Sequence, residues 1–273
     1  MAGTIVAQRV VSMAPAVTEI VFALGKGGTL VGVSQFCDYP ASARTIAKVG
    51  GLLDVNMEAL LALAPEIILA YPEQYPLVKF LESRARVLVV KHECLSDLFA
   101  AMATIGGALH AESEAKSMVS ALKNKFTAIT SQVGGRKKVR ILIIAGRNPD
   151  ELKNMYIIGK HDFLNELLEI AGGENAYQGT IHYPSISMET VIFLNPDFII
   201  ELSAYYEGIC DEKVHELWRP FKMLAAVQNR RVKIIKDTFW LRPGPRVGMI
   251  AEALARLFSS AANQKETSTP TDS

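Results

Sequence analysis

The sequence contains only three cysteines, and they lie far apart. Cys37, Cys94 and Cys210 show neither the CxxC nor the Cys/His spacing of a zinc site, and they are too few for the dense disulfide framework of a small secreted domain. We interpret them as buried or half-exposed thiols and keep a single disulfide as the alternative.

The sequence also lacks an excess of charge of either sign. Its 29 Lys and Arg residues are balanced by 28 Asp and Glu residues, which leaves a formal net charge of +1. Nucleic acids and anionic membrane surfaces select proteins with a strong positive field, so neither is an expected partner. The expected partner is a small molecule or another protein.

No apolar run is long enough to cross a membrane, which takes about 18 to 20 residues. The opening MAGTIVAQ has no basic stretch followed by an apolar core, so it does not resemble a signal peptide. From these residues alone we expect either a cytosolic protein or the mature form of an exported one.

Catalytic and phosphate-binding motifs are absent as well. The sequence has no GxSxG elbow, no HExxH pair and no cysteine with a convincing histidine partner. The run GKGG at residues 25–28 lacks the spacing of a phosphate-binding loop and is typical of a helix end and turn. The string HEC at residues 92–94 has the composition of a metal site but no second cluster of ligands at a useful spacing. We therefore predict no catalysis and no resident cofactor, with a cytosolic α/β enzyme as a remote alternative.

The sequence does contain a regular alternation of β-branched runs and amphipathic segments. The runs in the first 90 residues read RVVSM, LVGVS, EIILA and RVLVV. This order is typical of a parallel sheet covered by helices on both faces. A much longer helical stretch, residues 96–132, is broken only at Gly106 and Gly107, after which VRILIIAG at residues 139–146 starts the pattern again.

An internal repeat indicates two related halves. Residues 55–69 read VNMEALLALAPEIIL and residues 186–200 read ISMETVIFLNPDFII, with identical residues recurring at a constant offset of 131 positions. Each copy begins with a good helix cap and then an acid, Glu58 or Glu189, in the first helical turn. Two interpretations of these acids stay open: they stabilise the helix dipole, or they form a pair of carboxylates that docks on a partner with two basic patches.

We accordingly predict an α/β protein with two similar lobes, each a parallel sheet flanked by helices, joined by one long rigid helix. The predicted boundaries are an amino-terminal lobe over residues 1–108, a connecting helix over 109–135, a carboxyl-terminal lobe over 136–262 and a disordered tail over 263–273.

Together the motifs resemble those of the class III periplasmic substrate-binding proteins of ABC importers, a family that takes up cobalamin, ferric siderophores and haem. The resemblance covers about residues 8–260, and its motifs are RVVSMAPAVTEIVFALG, VGVSQFCDYP, NMEALLALAPEIILA, AGGENAY, SISMETVIFLNPDFII and RPGPR. It implies two lobes that flank a ligand cleft and are held by a long helix. It also implies a monomer, periplasmic or membrane-anchored as an extracytoplasmic lipoprotein, that delivers its solute to an ABC permease dimer with ATPase subunits. In this family one glutamate per lobe contacts arginines of the permease, and by motif position these fall on Glu58 and Glu189.

The loop and the repeat are most similar to those of family members that bind cobalamin, so a corrinoid is the expected ligand. By motif alignment the pocket positions fall on Phe36, Leu52, Tyr71 and Tyr183. The last three stand where the cobalamin-binding pattern has tryptophan. A late arginine falls on Arg242, with an acid near Asp237. A corrinoid is a wide, mostly apolar plate with amide edges, which suits stacking aromatics and a few hydrogen-bonding groups.

Haem and ferric siderophores stay open as ligands within the same family. Haem-binding relatives hold iron with tyrosine or histidine, so Tyr71, His182 and Tyr183 are candidates for this role, with Tyr71 and His182 as the possible metal ligands. An anionic siderophore would instead favour Arg147, Arg242 and Arg246, because the planar guanidinium suits carboxylates. The turn-rich loop before the last helix adds Trp240, either as a ligand contact or as a core residue.

The loop SQFCDYP, residues 34–40, follows the second strand at the edge where open α/β sheets bind their ligands. We predict that Phe36 contacts the ligand and that Asp38 and Tyr39 hold the loop. Cys37 is the least suitable of these residues for ligand contact.

Overall fold

The computed structural model describes residues 8–203 and 210–266, and the chain divides into two compact units. The first unit contains Met1–Leu122 and Arg242–Pro245, and the second contains Lys123–Leu241 and Arg246–Ser273. One boundary therefore falls inside a helix of 22 residues, Glu112–Val133. The prediction of an α/β protein with two lobes is confirmed.

The first unit is built on a four-stranded parallel sheet. Its strands are β1 (Val10–Ser12), β2 (Leu30–Val33), β3 (Ile67–Ala70) and β4 (Arg86–Val89), in the order β2-β1-β3-β4. The helices that begin in it are α1 (Pro15–Ala23), α2 (Met57–Ala62), α3 (Tyr75–Val78), α4 (Leu95–Ala108) and α5 (Glu112–Val133). The central strands β1 and β3 are buried along their whole length, as expected for a parallel sheet covered on both faces. Val11 and Ile68 of these strands form an apolar core with Leu60 of α2.

The second unit contains a six-stranded mixed sheet. Its strands are β5 (Val139–Gly146), β6 (Met155–Ile157), β7 (Gly173–Asn175), β8 (Ser185–Ile186), β9 (Phe198–Leu202) and β10 (Val232–Ile235). Its helices are α6 (Phe163–Ile170), α7 (Met188–Leu194), α8 (Asp211–Trp218), α9 (Ala225–Gln228) and α10 (Val247–Glu266). The order is β10-β9-β5-β6-β8, with β7 also paired to β5, and β6 runs antiparallel to both of its neighbours.

The internal repeat is visible in the backbone of the two units. In the first unit β1 pairs with β3 so that Val10 lies opposite Ile67, and in the second β5 pairs with β9 so that Ile141 lies opposite Phe198. Both residues of the second pair stand 131 positions after those of the first. Helices α2 and α7, which precede β3 and β9, also share the same order of buried and exposed positions. The parallel strands follow matching orders, β2-β1-β3-β4 and β7-β5-β9-β10.

The long helical stretch breaks later than the sequence predicts. Gly106 and Gly107 both lie inside α4, and the break comes at residues 109–111, where His110 has a positive φ of 52°. The reason is packing, because an ideal Cβ at Gly106 would lie only 2.6 Å from the Cβ of Ala115. Gly106 therefore allows α5 to pass close to α4 instead of ending the helix.

The last helix, α10, continues to Glu266 and so includes the first residues of the predicted tail. Residues 267–273 of that tail lie outside the described residues. Within the described ranges, no helix combines the length and the apolar character needed to cross a membrane.

Candidate functional site

The loops of the first unit meet at the carboxyl edge of its sheet. Because β1 to β4 run in the same direction, the segments that follow them emerge at the edge where open α/β sheets bind ligands. Phe36 lies in the loop after β2, and Tyr71 directly follows β3. Phe36 and Leu52 are 46% and 39% exposed, whereas Tyr71 is only 8% exposed. At this edge Phe36 and Leu52 are exposed to solvent, whereas Tyr71 is buried.

Cys37 anchors the loop that carries Phe36. Its side chain is buried, with Sγ 3.1 Å from the hydroxyl of Thr18 and 3.3 Å from that of Ser34. The ammonium group of Lys48 donates a hydrogen bond of 3.1 Å to the Cys37 carbonyl oxygen. Cys37 points into the unit while its neighbour Phe36 is exposed, so the thiol supports the loop.

Arg242 holds the same loop from the other side. Its guanidinium donates to Oδ1 of Asp38 at 2.5 Å and to the carbonyl oxygen of Phe36 at 3.3 Å, and it lies 3.8 Å from Oε1 of Glu19. The side chain is 8% exposed. Arg242 was predicted as a ligand contact with an acid near Asp237, but within the first unit its charge is met by Asp38 and Glu19. Its observed contacts make it a support of the Phe36 loop.

Gln74 is a site residue that the sequence analysis missed. It is fully buried; its Oε1 accepts from the backbone N–H of Tyr71 at 2.9 Å, and its Nε2 donates to the carbonyl oxygens of Met13 at 2.9 Å and Leu52 at 3.1 Å. One amide side chain therefore joins the end of β1, the Leu52 turn and the segment after β3. The signal in the sequence was weak: a glutamine four residues after the end of a buried strand.

Tyr71 contacts a histidine and has a perturbed phenol. Its ring centroid is 3.9 Å from that of His92, and the His92 Nε2 lies 2.9 Å from a carboxylate oxygen of Glu73. Burial raises the pKa of the Tyr71 phenol well above its ordinary value, and the carboxylates of Glu73 and Glu19 add to the rise. Tyr71 is therefore a neutral hydrogen-bonding group at physiological pH.

In the second unit a buried aspartate organises His182 and Tyr183. Asp162 caps α6 by accepting from the backbone N–H of Leu164 at 2.7 Å. Its other oxygen accepts from the Tyr183 hydroxyl at 2.6 Å and lies 3.1 Å from Nε2 of His182. The two rings stack with centroids 4.4 Å apart, and Tyr183 is 46% exposed. The sequence pattern after residue 162 is that of a helix, but it does not show that the cap of this helix binds these rings.

Arg147 is buried inside the second unit, where it pairs with Glu201. Its side chain and that of Glu201 are both fully buried, with Nη2 and Oε1 2.6 Å apart. Glu201 also accepts from the indole N–H of Trp218 at 2.9 Å. This arrangement does not favour contact with an anionic ligand, because the guanidinium is covered and already paired with a carboxylate inside the unit.

Trp240 and Asp237 lie in the turn after β10. Trp240 is 3% exposed, which fits the core interpretation of this residue. Asp237 is exposed, and its carbonyl oxygen accepts from the backbone N–H of Trp240 at 3.2 Å.

The repeated acids, Glu58 and Glu189, are exposed in the first turns of α2 and α7. Asn56 caps α2 through a bond of 3.0 Å from the backbone N–H of Ala59. A hydrogen bond from Ser187 lowers the pKa of Glu189, so this carboxylate is ionised at neutral pH. Both acids are available to a partner.

No group of three or more His, Cys, Asp or Glu side chains is arranged to hold a metal ion in the part of the chain that the structure describes. The three cysteines are unpaired, so the alternative of a disulfide is not realised. For Tyr71 and His182, metal binding remains a hypothesis.

The chain is similar in sequence and in fold to several known binding proteins. An ABC transporter substrate-binding lipoprotein of Bacillus subtilis strain 168, YvrC, is 27% identical over 257 residues, covering 91% of this chain and 79% of the relative. A vitamin B12-binding protein of Vibrio parahaemolyticus serotype O3:K6 is 25% identical over 243 residues, covering 88% and 85%. A periplasmic haem-binding protein from Pseudomonas aeruginosa shares the fold, with a TM-score of 0.81 and 23% identity over 93% of this chain and 94% of that one.

The sequence pattern of the family described as periplasmic binding protein matches residues 10–238. The chain therefore belongs to the periplasmic binding protein family, whose members are substrate-binding transport proteins rather than enzymes.

Proposed function

We propose that this protein captures a corrinoid outside the cytoplasm and delivers it to an ABC permease. The observation that carries the proposal is one half-exposed aromatic ring in each unit, Phe36 and Tyr183, held by buried groups of its own unit. Cys37 and Arg242 hold the Phe36 loop, and Asp162 holds Tyr183. Aromatic faces on rigid supports suit the broad apolar face of a corrinoid.

The relatives support the same ligand class. Proteins named for vitamin B12 binding match about nine-tenths of the chain, at 24 to 26% identity. The exposed turn at Leu52, joined to Tyr71 through Gln74, adds an apolar contact with a fixed backbone.

Haem is the second candidate, and a specific observation favours it. His182 and Tyr183 lie side by side on a buried carboxylate, and imidazole and phenolate are both haem ligands. Tyr71 is a weaker candidate for iron, because burial and two carboxylates oppose the loss of its proton.

A ferric siderophore is the least favoured ligand. Two of the three arginines expected to meet its acidic groups are paired with carboxylates inside the protein, Arg147 with Glu201 and Arg242 with Asp38. Neither offers an uncompensated charge.

The ligand is tested by titrating the purified protein with cyanocobalamin, cobinamide, haem and a ferric siderophore, using calorimetry and absorbance. We expect cyanocobalamin to bind at micromolar concentration or below. Phe36→Ala should weaken this binding about tenfold or more, because a rigid aromatic anchor is lost. Phe80→Ala is the matched control, since Phe80 is a 57% exposed phenylalanine of the same unit outside the proposed site.

Absence of cobalamin binding at micromolar concentration would reject the corrinoid. A Soret shift that is lost in His182→Ala would favour haem instead. Equal affinities of the wild type and Phe36→Ala would remove Phe36 from the site.

A further inference from the structure

Helices α2 and α7 each combine their acid with exposed apolar side chains on the same face. Leu61 follows Glu58 by three residues, and Ile192 follows Glu189 by three, a spacing that places both members of each pair on one helix face. Leu61 is 42% exposed and Ile192 is 39% exposed. The two helices thus repeat an acidic and apolar surface, as they repeat the sequence.

In the second unit this surface is larger. Phe193 lies four residues after Glu189 and is 86% exposed. The helix is held in the core by Val191, which is fully buried, and by Leu194, which packs against the same cluster. Phe193 therefore contributes little to folding. The first unit has a small residue, Ala62, at the equivalent position of α2.

A cavity of about 690 Å³ opens at the start of α7. Ser187, Met188 and Glu189 line it together with apolar and polar side chains from neighbouring elements, namely Leu152, Leu217, Phe221, Asp150, Glu151, Lys153 and Asn154. Glu189 therefore belongs both to the wall of this cavity and to the face that carries Phe193.

The charges around the cavity favour a cationic partner. Lys153 pairs with Glu151 and Lys213 pairs with Asp150, so these two acids are already compensated. In the described part of the chain Glu189 forms no ion pair, and the hydrogen bond from Ser187 keeps it ionised. An apolar surface with one uncompensated carboxylate complements a segment that carries a basic side chain beside an apolar one.

We propose that Glu189, Ile192 and Phe193 form the main permease-docking surface, with Phe193 as its apolar anchor and with Glu58 and Leu61 as the smaller counterpart. The occupant is an extracytoplasmic segment of the ABC permease with a basic and an apolar side chain next to each other. This inference rests on the proposed function. An exposed ion pair alone is weak and screened by salt, so a buried apolar contact beside the charge supplies the affinity.

The test is the affinity of the ligand-loaded protein for the cognate permease with its ATPase subunits in lipid nanodiscs. We expect Phe193→Ser to weaken the complex about tenfold or more, as for the loss of an interface anchor. Phe80→Ser is the control, because Phe80 is also an exposed phenylalanine, and it should change the affinity less than about twofold. Cyanocobalamin affinity in solution should be the same in all three proteins.

Wild-type affinity in Phe193→Ser, with loss of binding in Glu58→Ala/Glu189→Ala, would overturn the apolar anchor and leave the proposed function standing. Failure of the wild type to bind the permease would reject the delivery function itself. Dimerisation of the wild type that Phe193→Ser abolishes, with unchanged permease binding, would assign the surface to a second copy and overturn the inference.

Discussion

Tyr71 directly follows β3 with 8% of its surface exposed, so folding moves its phenol out of water. Burial raises its pKa, and Glu73 and Glu19 raise it further. In the unfolded chain the phenol has an ordinary pKa of about 10. Folding therefore favours the protonated form; this stability is complete below about pH 10 and is lost as the pH rises from there towards the folded pKa.

Above about pH 10 we expect the free energy of unfolding to fall with rising pH more steeply in the wild type than in Tyr71→Phe. The two slopes should differ by about 1 kcal/mol per pH unit. Urea unfolding at about pH 8, 10 and 11 measures the difference. Tyr156→Phe is the control, because Tyr156 is 53% exposed, and it should keep the wild-type slope. Equal slopes for all three proteins would show that Tyr71 remains solvated.

Asp162 links helix capping to a candidate ligand contact. Asp162→Ala removes the acceptor of the Leu164 N–H and of the Tyr183 hydroxyl, and should lower the free energy of unfolding by about 1–3 kcal/mol. Asp162→Asn keeps a capping oxygen and should lose less, but its bond to Tyr183 is no longer assisted by charge. We expect both variants to bind cyanocobalamin more weakly, as measured by calorimetry. Unchanged affinity in both would separate Tyr183 from the ligand.

The roles of single residues were predictable only where local sequence determines them. Phe36 could be singled out because its loop follows a buried strand, and its exposure agrees with that prediction. The burial of Arg147 could not be predicted, because its partner, Glu201, is 54 positions away and nothing local reveals the pair. Gln74 and Asp162 were missed for the same reason, since their importance lies in contacts made after the chain folds.

The adjacent glycines of α4, Gly106 and Gly107, allow a test of how closely α4 packs against α5. An ideal Cβ at Gly106 would lie 2.6 Å from Ala115, whereas nothing lies within 4 Å of one at Gly107. Gly106→Ala should therefore lower the free energy of unfolding by about 1–3 kcal/mol through overpacking. Gly107→Ala should raise it by about 0.5–1 kcal/mol, because alanine is the better helix former. Urea unfolding measures the free energy of unfolding of both variants. If the two substitutions change it by similar amounts, the close packing of α4 and α5 is contradicted.

The repeated helices α2 and α7 are each followed by a left-handed residue, Ala64 with φ 41° and Asn195 with φ 39°. This conformation is costly for alanine, easier for asparagine and free for glycine. We expect Ala64→Gly to raise the free energy of unfolding by about 0.5–1 kcal/mol, after the greater flexibility of glycine in the unfolded chain is included. Asn195→Gly should change it less. Denaturant midpoints test this, and a destabilised Ala64→Gly variant would contradict it.

The sequence predicted whether an element is a helix or a strand better than it predicted where the element begins and ends. The sequence pattern over residues 213–228 is that of one helix, but in the structure this stretch is divided between two helices, α8 and α9. Pro220 lies between them, and proline has no backbone N–H with which to continue the helical hydrogen bonds. The break between α4 and α5 was misplaced because a glycine pair signals flexibility in sequence, while here Gly106 serves helix packing.

At the scale of the whole molecule, the two exposed acids give a test of delivery. We expect Glu58→Ala with Glu189→Ala to abolish transfer of cyanocobalamin to the permease, because both carboxylates proposed to meet basic patches of the permease are lost. Cyanocobalamin affinity in solution should stay within about twofold of the wild type. Transport into vesicles that contain the permease and its ATPase subunits measures delivery.

The matched control for that variant is Glu93→Ala with Glu174→Ala, which removes one exposed acid from each unit outside α2 and α7. It should transport as the wild type does. A large loss of ligand affinity in the Glu58 and Glu189 variant would count against a docking role.

The sequence by itself determined the α/β class, the two related units and the family, because these depend on periodicity, strand order and a repeat that can be read along the chain. The tertiary structure alone decided which polar groups support the candidate site. Arg242 reaches Asp38 across 204 positions, and Gln74 reaches Met13 across 61. Such contacts depend on which loops the sheet brings together and on which charges burial forces to pair, and neither is encoded by neighbouring residues.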